Sequence, residues 1–382
     1  MSSVEEVRAQ ALEVAAGWSP ADAPDSWRLT AALFRVIAAH EDLLCRLAGL
    51  PSDRLPALLA SAAVSFLVRR DRPEPLAGYF PEPGAPPPLF DAGFYPAART
   101  FISARLDDIT TECAQRHYQM NEVARCTQIA LGITATAGSR AEPIGLADLG
   151  TGAGLGLHLD RYRYLVGSRA SGPQTAALRL SCEVRGSREP PQVALPPIAE
   201  RAGIDVAPVN LQDPAARSWL LACAPPEASA LARLAAAIEV TRQHPAEILA
   251  GDVIQVLPGV LDRFAPGRSV LVIDAYLAVF LPPELHAELT GIMAEAGRVR
   301  PVTWLSLDPL VPLGPSGHDS VQGLELPASL ITDYQQHGVF AVLGARTFHR
   351  GTDCGRLLAR AHPSGQWVEW LDRESGHALP AA

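Results

Sequence analysis

Lysine is absent from this chain: all 32 of its basic residues are arginine. Its absence excludes a Schiff base, pyridoxal-phosphate attachment and a phosphate-loop lysine. Cysteine is sparse, with Cys45, Cys113, Cys126, Cys182, Cys223 and Cys354 far apart and neither a Cys-x-x-Cys pair nor a Cys/His cluster at zinc spacing. Free, mostly buried thiols and no metal site are expected. No stretch approaches the roughly 18 uninterrupted apolar residues of a membrane span. The N-terminus, MSSVEEVRAQALEV, is acidic and amphipathic, not basic then apolar. No membrane association and a soluble cytoplasmic protein are therefore expected. Positive charge is also in deficit: a net charge of −9 argues against nucleic acid as a partner, because phosphate binding needs a basic surface.

What is present describes a globular protein, with 48% apolar and 19% charged residues. At 382 residues the chain exceeds one typical core, so two domains, or one with a large extension, are expected. Abundant alanine, 34 prolines and arginine in place of lysine together read as genomic base composition.

Residues 1–135 carry helical spacing. Leu29, Leu33, Val36, Ile37, Leu43, Leu44 and Leu47 predict a helix over 27–47, and the pattern resumes over 55–68 after Pro51-Ser52-Asp53. Residues 72–88 are rich in proline and predict a surface loop, followed by helices over 94–106 and 118–133. On the last of these, Asn121, Glu122 and Arg125 share about one helical turn. Glu122 and Arg125 at i, i+3 form either a solvated ion pair or, with Asn121, a face presented to a ligand.

From Ile144 onward short apolar strands alternate with helical stretches, the pattern of a parallel sheet covered on both faces. Strands are expected at 144–149, ending at 203–208, at 247–253, at 269–273 and at 302–307, with a hairpin at 176–184. A helix over 219–242 is stopped by His244-Pro245, and another starts at Pro282-Pro283-Glu284, where first-turn proline is tolerated. Residues 339–348, 356–362 and 366–371 are parted by turn sequences and are expected as antiparallel hairpins at one sheet edge.

The stretch IGLADLGTGAGLGLHLDRYRY, residues 144–164, organises the rest. Asp148 precedes Gly150, Gly152, Gly154 and Gly156, which let the main chain turn tightly and approach a ligand without a Cβ in the way. Such a turn can open a helix whose free N–H groups accept polar or negative atoms. An ordinary glycine-rich turn is the plainer reading. Asp148, Asp205 and Asp252 stand at the ends of successive predicted strands, where open α/β sheets bind ligands. A nucleoside engages such groups: the acid of the second strand takes ribose hydroxyls, that of the third the adenine amino group, and Asp148 an ammonium or the glycine loop itself. Strand-end acids also cap helices.

The order Asp148-Leu149-Gly150-Thr151-Gly152-Ala153-Gly154, Gly203-Ile204-Asp205-Val206-Ala207-Pro208, Gly251-Asp252 and Val272-Ile273-Asp274-Ala275-Tyr276 resembles the successive motifs of S-adenosylmethionine-dependent methyltransferases. Asn121-Glu122-Val123, Asp160 to Tyr164, Cys182 to Gly186, Glu200 to Asp205 and Ala361 to Trp370 look like a bacterial family designated only as a domain of unknown function, over nearly the whole chain. The methyltransferase resemblance implies a Rossmann-like α/β sheet with antiparallel C-terminal edge strands over residues 136–382, an insertion at about 164–199, and a helical N-terminal or lid domain over 1–135.

It also implies S-adenosylmethionine as cofactor, held by Asp148, Gly150, Gly152, Gly154, Asp205 and Asp252, and methyl transfer to a small molecule, as in secondary metabolism. Asp274, Tyr276 or Glu122 then accepts a proton, while Asn121, Arg161, Tyr162 and Tyr164 meet the substrate. Asp205 follows the glycines by far more than the usual distance of roughly 20 residues. Either the insertion covers the crevice or Asp205 is not the ribose ligand. His362, in the last hairpin, reads as structural. A methyltransferase-like binding or partner protein without methyl transfer is the alternative, and a dehydrogenase is disfavoured because Gly154 follows Gly152 by two positions, not three.

Overall fold

The computed structural model describes residues 2–19, 23, 25–137, 142–309, 320–337 and 340–371. Six helices come first: α1 (Val4–Gly17), α2 (Asp25–Ala38), α3 (Glu41–Leu47), α4 (Pro56–Asp71), α5 (Phe94–Ala104) and α6 (Leu106–Gln115). Next, α7 (Cys126–Ala137) leads to β1 (Ile144–Leu149), then β2 (Arg163–Val166), β3 (Arg169–Ser171), β4 (Arg179–Arg185) and β5 (Ile198–Asp205). After α8 (Pro214–Cys223) and α9 (Ala228–Gln243) come β6 (Glu247–Ala250), α10 (Val253–Arg263), β7 (Val270–Ala275), α11 (Pro283–Ala296) and β8 (Val302–Pro309). The chain continues through β9 (Ser320–Val321), β10 (Leu324–Glu325), α12 (Ala328–His337), β11 (Ala341–His349), β12 (Thr352–Ala361) and β13 (Trp367–Trp370).

Two compact units result. The first comprises Met1–Glu122 and Asn210–Ile238, the second Val123–Val209 and Glu239–Ala382. In the first unit α1 starts with a capping box, Ser3 and Glu6 each accepting the other's main-chain N–H. The helix predicted over 27–47 is two helices, because the His40 ring accepts the Leu43 N–H and caps α3. Pro56 opens α4, whose side chains from Ala62 to Val68 are all buried in the unit's core. The second segment joins this unit through α8. There the Trp219 indole N–H donates to the His117 carbonyl at 2.8 Å, its ring packs edge-on against Phe66, and the Arg116 guanidinium lies over both rings. The helix expected over 219–242 is likewise broken, with Pro225 and Pro226 between α8 and α9.

The second unit is built on an eleven-stranded sheet in the order β3-β2-β4-β13-β12-β11-β8-β7-β1-β5-β6. Six of its ten neighbouring pairs are parallel, so this mixed α/β unit rests on a mostly parallel sheet. Every residue of β1 is buried, as a central strand covered on both faces requires. The strands β11, β12 and β13 are antiparallel neighbours, as expected, but they do not end the sheet. Residues 164–199 supply β4, which pairs parallel with β13, and β2 and β3 beyond it. The unpaired edge that β13 would otherwise present is thereby covered. Residues 176–184, expected as a hairpin, hold part of β4 instead. The alternation of Leu180 and Cys182 with Arg179, Ser181 and Glu183 gives that strand one buried and one exposed face.

Among the described residues, no helix is long and apolar enough to cross a membrane. All six cysteines are free thiols, four of them buried.

Candidate functional site

The strands β6-β5-β1-β7-β8 run parallel in that spatial order, so chain order reverses at β1. Sheets of this kind bind ligands outside the carboxyl ends of the strands at the reversal. At the end of β1, Gly150, Gly152 and Gly154 all take positive φ, of 65°, 56° and 76°. The turn they form is tied to β5: the N–H groups of Gly150 and Thr151 both donate to the Ile204 carbonyl. Beside it the Asp205 carboxylate accepts the Gly152 N–H at 2.7 Å through one oxygen and the Ala207 N–H at 2.8 Å through the other.

Asp148 lies beneath this turn, 7% exposed, and accepts the Thr151 hydroxyl at 2.6 Å. Burial pushes its carboxyl up to about 7, with a smaller upward contribution from the Asp205 charge. Asp252, at the end of β6, is exposed and caps α10 by accepting the Ile254 N–H at 2.8 Å.

No α-helix follows the glycines. Leu155–Arg161 is a 3-10 segment with a non-helical residue at His158, so the turn does not present the amide donors of a regular helix start. Expected to meet substrate, Tyr162 and Tyr164 are instead 0% and 1% exposed, and they donate their hydroxyls to the carbonyls of Leu155 and Leu159. Arg161 is exposed, and Asp160 forms a two-pronged ion pair with Arg201. Between them His158 is buried, and burial, then the Arg201 charge, pulls its ring down to about 4. Asn121 and Glu122 belong to the helical unit, where Asn121 donates to Gln119 and Glu122 lies 3.6 Å from Arg233.

A second cluster, largely missed by the sequence reading, forms where β7 and β8 end. Asp274 is 1% exposed and accepts the Trp304 indole N–H at 2.7 Å and a contact from Ser306 Oγ at 3.0 Å. Asp308, 5% exposed, lies 2.7 Å from the same Ser306 Oγ and accepts the Val279 N–H. A hydroxyl has one proton and donates to one of these carboxyls. The other contact is a hydrogen bond only when that carboxyl is protonated and donates to Ser306. Burial first, and for Asp274 the neighbouring Asp308 charge, push both carboxyls upward, consistent with a shared proton. Trp304, Ser306 and Asp308 occupy alternate positions of β8, so the period of a strand places them on one face. That alternation is a signal by which Ser306 and Asp308 could have been found.

Tyr276 is one residue past β7. It takes φ of 68°, rare for a side chain of its size, is 8% exposed, and its buried hydroxyl has no partner among the described residues. The Arg125 guanidinium lies 3.6 Å from its ring centroid. Arg125 is 9% exposed and donates Nε–H to the Pro363 carbonyl at 2.8 Å. In the β12–β13 turn that supplies this carbonyl, Gly365 has φ of 75°, and a Cβ there would stand 2.6 Å from the Ala124 main chain. His362 supports the same turn, its Nδ1 accepting the Ser364 N–H.

No curated protein matches the chain. The family model of DUF2332, described as an uncharacterized protein conserved in bacteria, matches residues 8–370, and the chain belongs to that family.

Proposed function

We propose that this protein is an S-adenosylmethionine-dependent methyltransferase acting on a small molecule. The observation that carries the proposal is the position of Asp205. Leu149 pairs with Ile204, so the carboxylate at the end of β5 stands beside the glycine turn at the end of β1 despite the long intervening segment. That segment adds its strands beyond β13, on the other side of the sheet from β5. An acid beside a glycine turn is the arrangement that accepts ribose hydroxyls in doubly wound sheets.

The residues present fit the group. Each Asp205 oxygen accepts one main-chain N–H, and a carboxylate oxygen has two acceptor positions, so one remains on each for a ribose hydroxyl. Val206, 71% exposed, puts an apolar side chain next to that acid, suited to the face of a base. The glycine turn lets the main chain approach closely. The cofactor supplies a sulfonium-bound methyl group, and the protein's task is to orient the acceptor and exclude water. Asp274 lies within a hydrogen-bonded cluster and holds Trp304 and Ser306, which leaves Tyr276, just past β7, as the polar group for the substrate side.

Calorimetry with S-adenosylmethionine and S-adenosylhomocysteine tests the first step. Binding by the wild type and its loss in Asp205→Ala are expected; no heat at millimolar cofactor with folded protein would sink the proposal. A binding protein without methyl transfer is the second reading, favoured by the main-chain N–H partners already held by Asp205 and Asp252. Cofactor binding with no labelled methyl group passing to any acceptor across a broad small-molecule panel would select it.

A further inference from the structure

We propose that Arg125 and Tyr276 form a binding site for the carboxylate group of a small organic acid. A guanidinium largely removed from water favours an anion as the partner of its free donors. Arg125 is 9% exposed, and among the described residues it has no carboxylate within ion-pair distance. Of the five N–H donors that a guanidinium carries, only Nε–H has an acceptor among those residues, the Pro363 carbonyl. Its terminal nitrogens form the planar fork that matches a carboxylate with two parallel hydrogen bonds.

Tyr276 supplies an independent sign of the same site. Its hydroxyl is buried without a partner among the described residues, and an interior hydroxyl left unpaired is unfavourable. Its main chain sits at φ of 68°, a left-handed conformation that is strained for a residue other than glycine. Strain of this kind persists where the surroundings impose it, and it gathers at ligand sites. The ring holds the guanidinium from one face at 3.6 Å, and the Pro363 carbonyl fixes it from the side, so the fork is set before any ligand arrives.

The charge balance favours a monoanion. Asp308 is the nearby acid, but it lies beyond ion-pair distance, sits against Ser306 beside Asp274, and burial pushes its carboxyl upward, so it does not fully neutralise Arg125. A phosphate dianion would bring two negative charges towards that carboxyl pair with one guanidinium to meet them. A carboxylate brings one. The site uses residues of the sheet unit alone and holds whether or not a methyl group is transferred.

Ligand-observed NMR titration with acetate, in a buffer free of other carboxylates, tests it without any adenosyl compound, so its failure is distinct from that of the methyltransferase reading. Acetate is expected to bind at millimolar concentration, with its neutral isostere acetamide binding at least about tenfold more weakly. Arg125→Lys keeps the charge but loses the fork, and Tyr276→Phe keeps the ring but loses the hydroxyl; each is expected to weaken acetate, the first by about tenfold. Thermal melts establish that both variants are folded. The wild-type comparison of acetate with acetamide stands even if a variant does not fold. Equal binding of acetate and acetamide, inorganic phosphate binding more tightly than acetate, or acetate affinity unchanged in both folded variants would each overturn the assignment.

Discussion

The Gly152 N–H donates to the Asp205 carboxylate at 2.7 Å although the two residues are 53 positions apart. The sheet explains the contact. β5 returns to the side of β1 while the strands between them in sequence attach beyond β13. Two main-chain donors therefore depend on one carboxylate.

Replacing that carboxylate should have two measurable effects. Asp205→Ala leaves the N–H groups of Gly152 and Ala207 without their acceptor and is expected to lower stability by about 1–3 kcal/mol in denaturant unfolding. Asp205→Asn keeps one acceptor oxygen and should lose less. If the cofactor reading holds, both weaken S-adenosylhomocysteine binding. An alanine variant as stable as the wild type would mean that the turn does not rely on this contact.

Asp148 makes stability depend on pH in a definite direction. Its carboxyl is pushed from an ordinary 3.8 up to about 7 by burial, so the folded state holds a proton that the unfolded chain releases between those values. The contribution is fully present below about 3.8 and is lost as pH rises through about 7, a span equivalent to at most about 4 kcal/mol. Asp148→Asn, which keeps an acceptor for the Thr151 hydroxyl, should flatten the decline across this window. Unfolding curves at a series of pH values read it directly, and a variant with the wild-type slope would assign the decline to other groups.

Much of the sheet was legible because its strands are buried on both faces and end in turn residues. β1 spans the residues its apolar run and following glycines predict, and β7 and β8 fall within a few residues of their expected limits. Partner choice was not legible: nothing local in residues 164–199 says that β4 pairs with β13. Tyr162 and Tyr164 read as substrate-facing because they lie in a charged segment directly after the glycines. The alternation of Arg161, Tyr162, Arg163 and Tyr164 is nevertheless the period of a strand entrance with the rings turned inward. Arg125 and Tyr276 carry no pairing signal at all, since their contact depends on the turn before α7, the end of β7 and the β12–β13 turn arriving together.

The tyrosines give a direct check on that inward turn. Tyr162→Phe removes a hydroxyl that donates to the Leu155 carbonyl at 2.7 Å while keeping the buried ring. A loss of about 1 kcal/mol in unfolding free energy is expected, because the carbonyl is left without this donor. A substrate-facing hydroxyl would give the opposite pattern, unchanged stability with altered ligand affinity.

Ser306 carries the two carboxyls of the second cluster. In Ser306→Ala the hydroxyl that touches both Asp274 and Asp308 is gone, and two buried acids lose a shared partner. The expected cost is about 1–3 kcal/mol for the unsatisfied groups. It should be larger at high pH, where the buried pair is forced towards two negative charges, than at low pH, where both are neutral. Asp308→Asn in the same background replaces one acid with a neutral amide and should recover stability at high pH. A serine variant whose loss does not change with pH would contradict the shared proton.

Gly365 tests how Arg125 is held. Its φ of 75° and the 2.6 Å approach of a would-be Cβ to the Ala124 main chain make the turn intolerant of a side chain. Gly365→Ala carries about 1–2 kcal/mol from the left-handed main chain. It must also move the turn away from Ala124, which sits next to Arg125 in sequence. The Pro363 carbonyl moves with the turn, so the guanidinium loses its fixed orientation as well as the fold losing stability. A melting temperature lowered together with weakened acetate binding is the expected result. Lowered stability with acetate binding intact would show that the Tyr276 ring alone orients the guanidinium, and unchanged stability would show that the turn yields more easily than its packing implies.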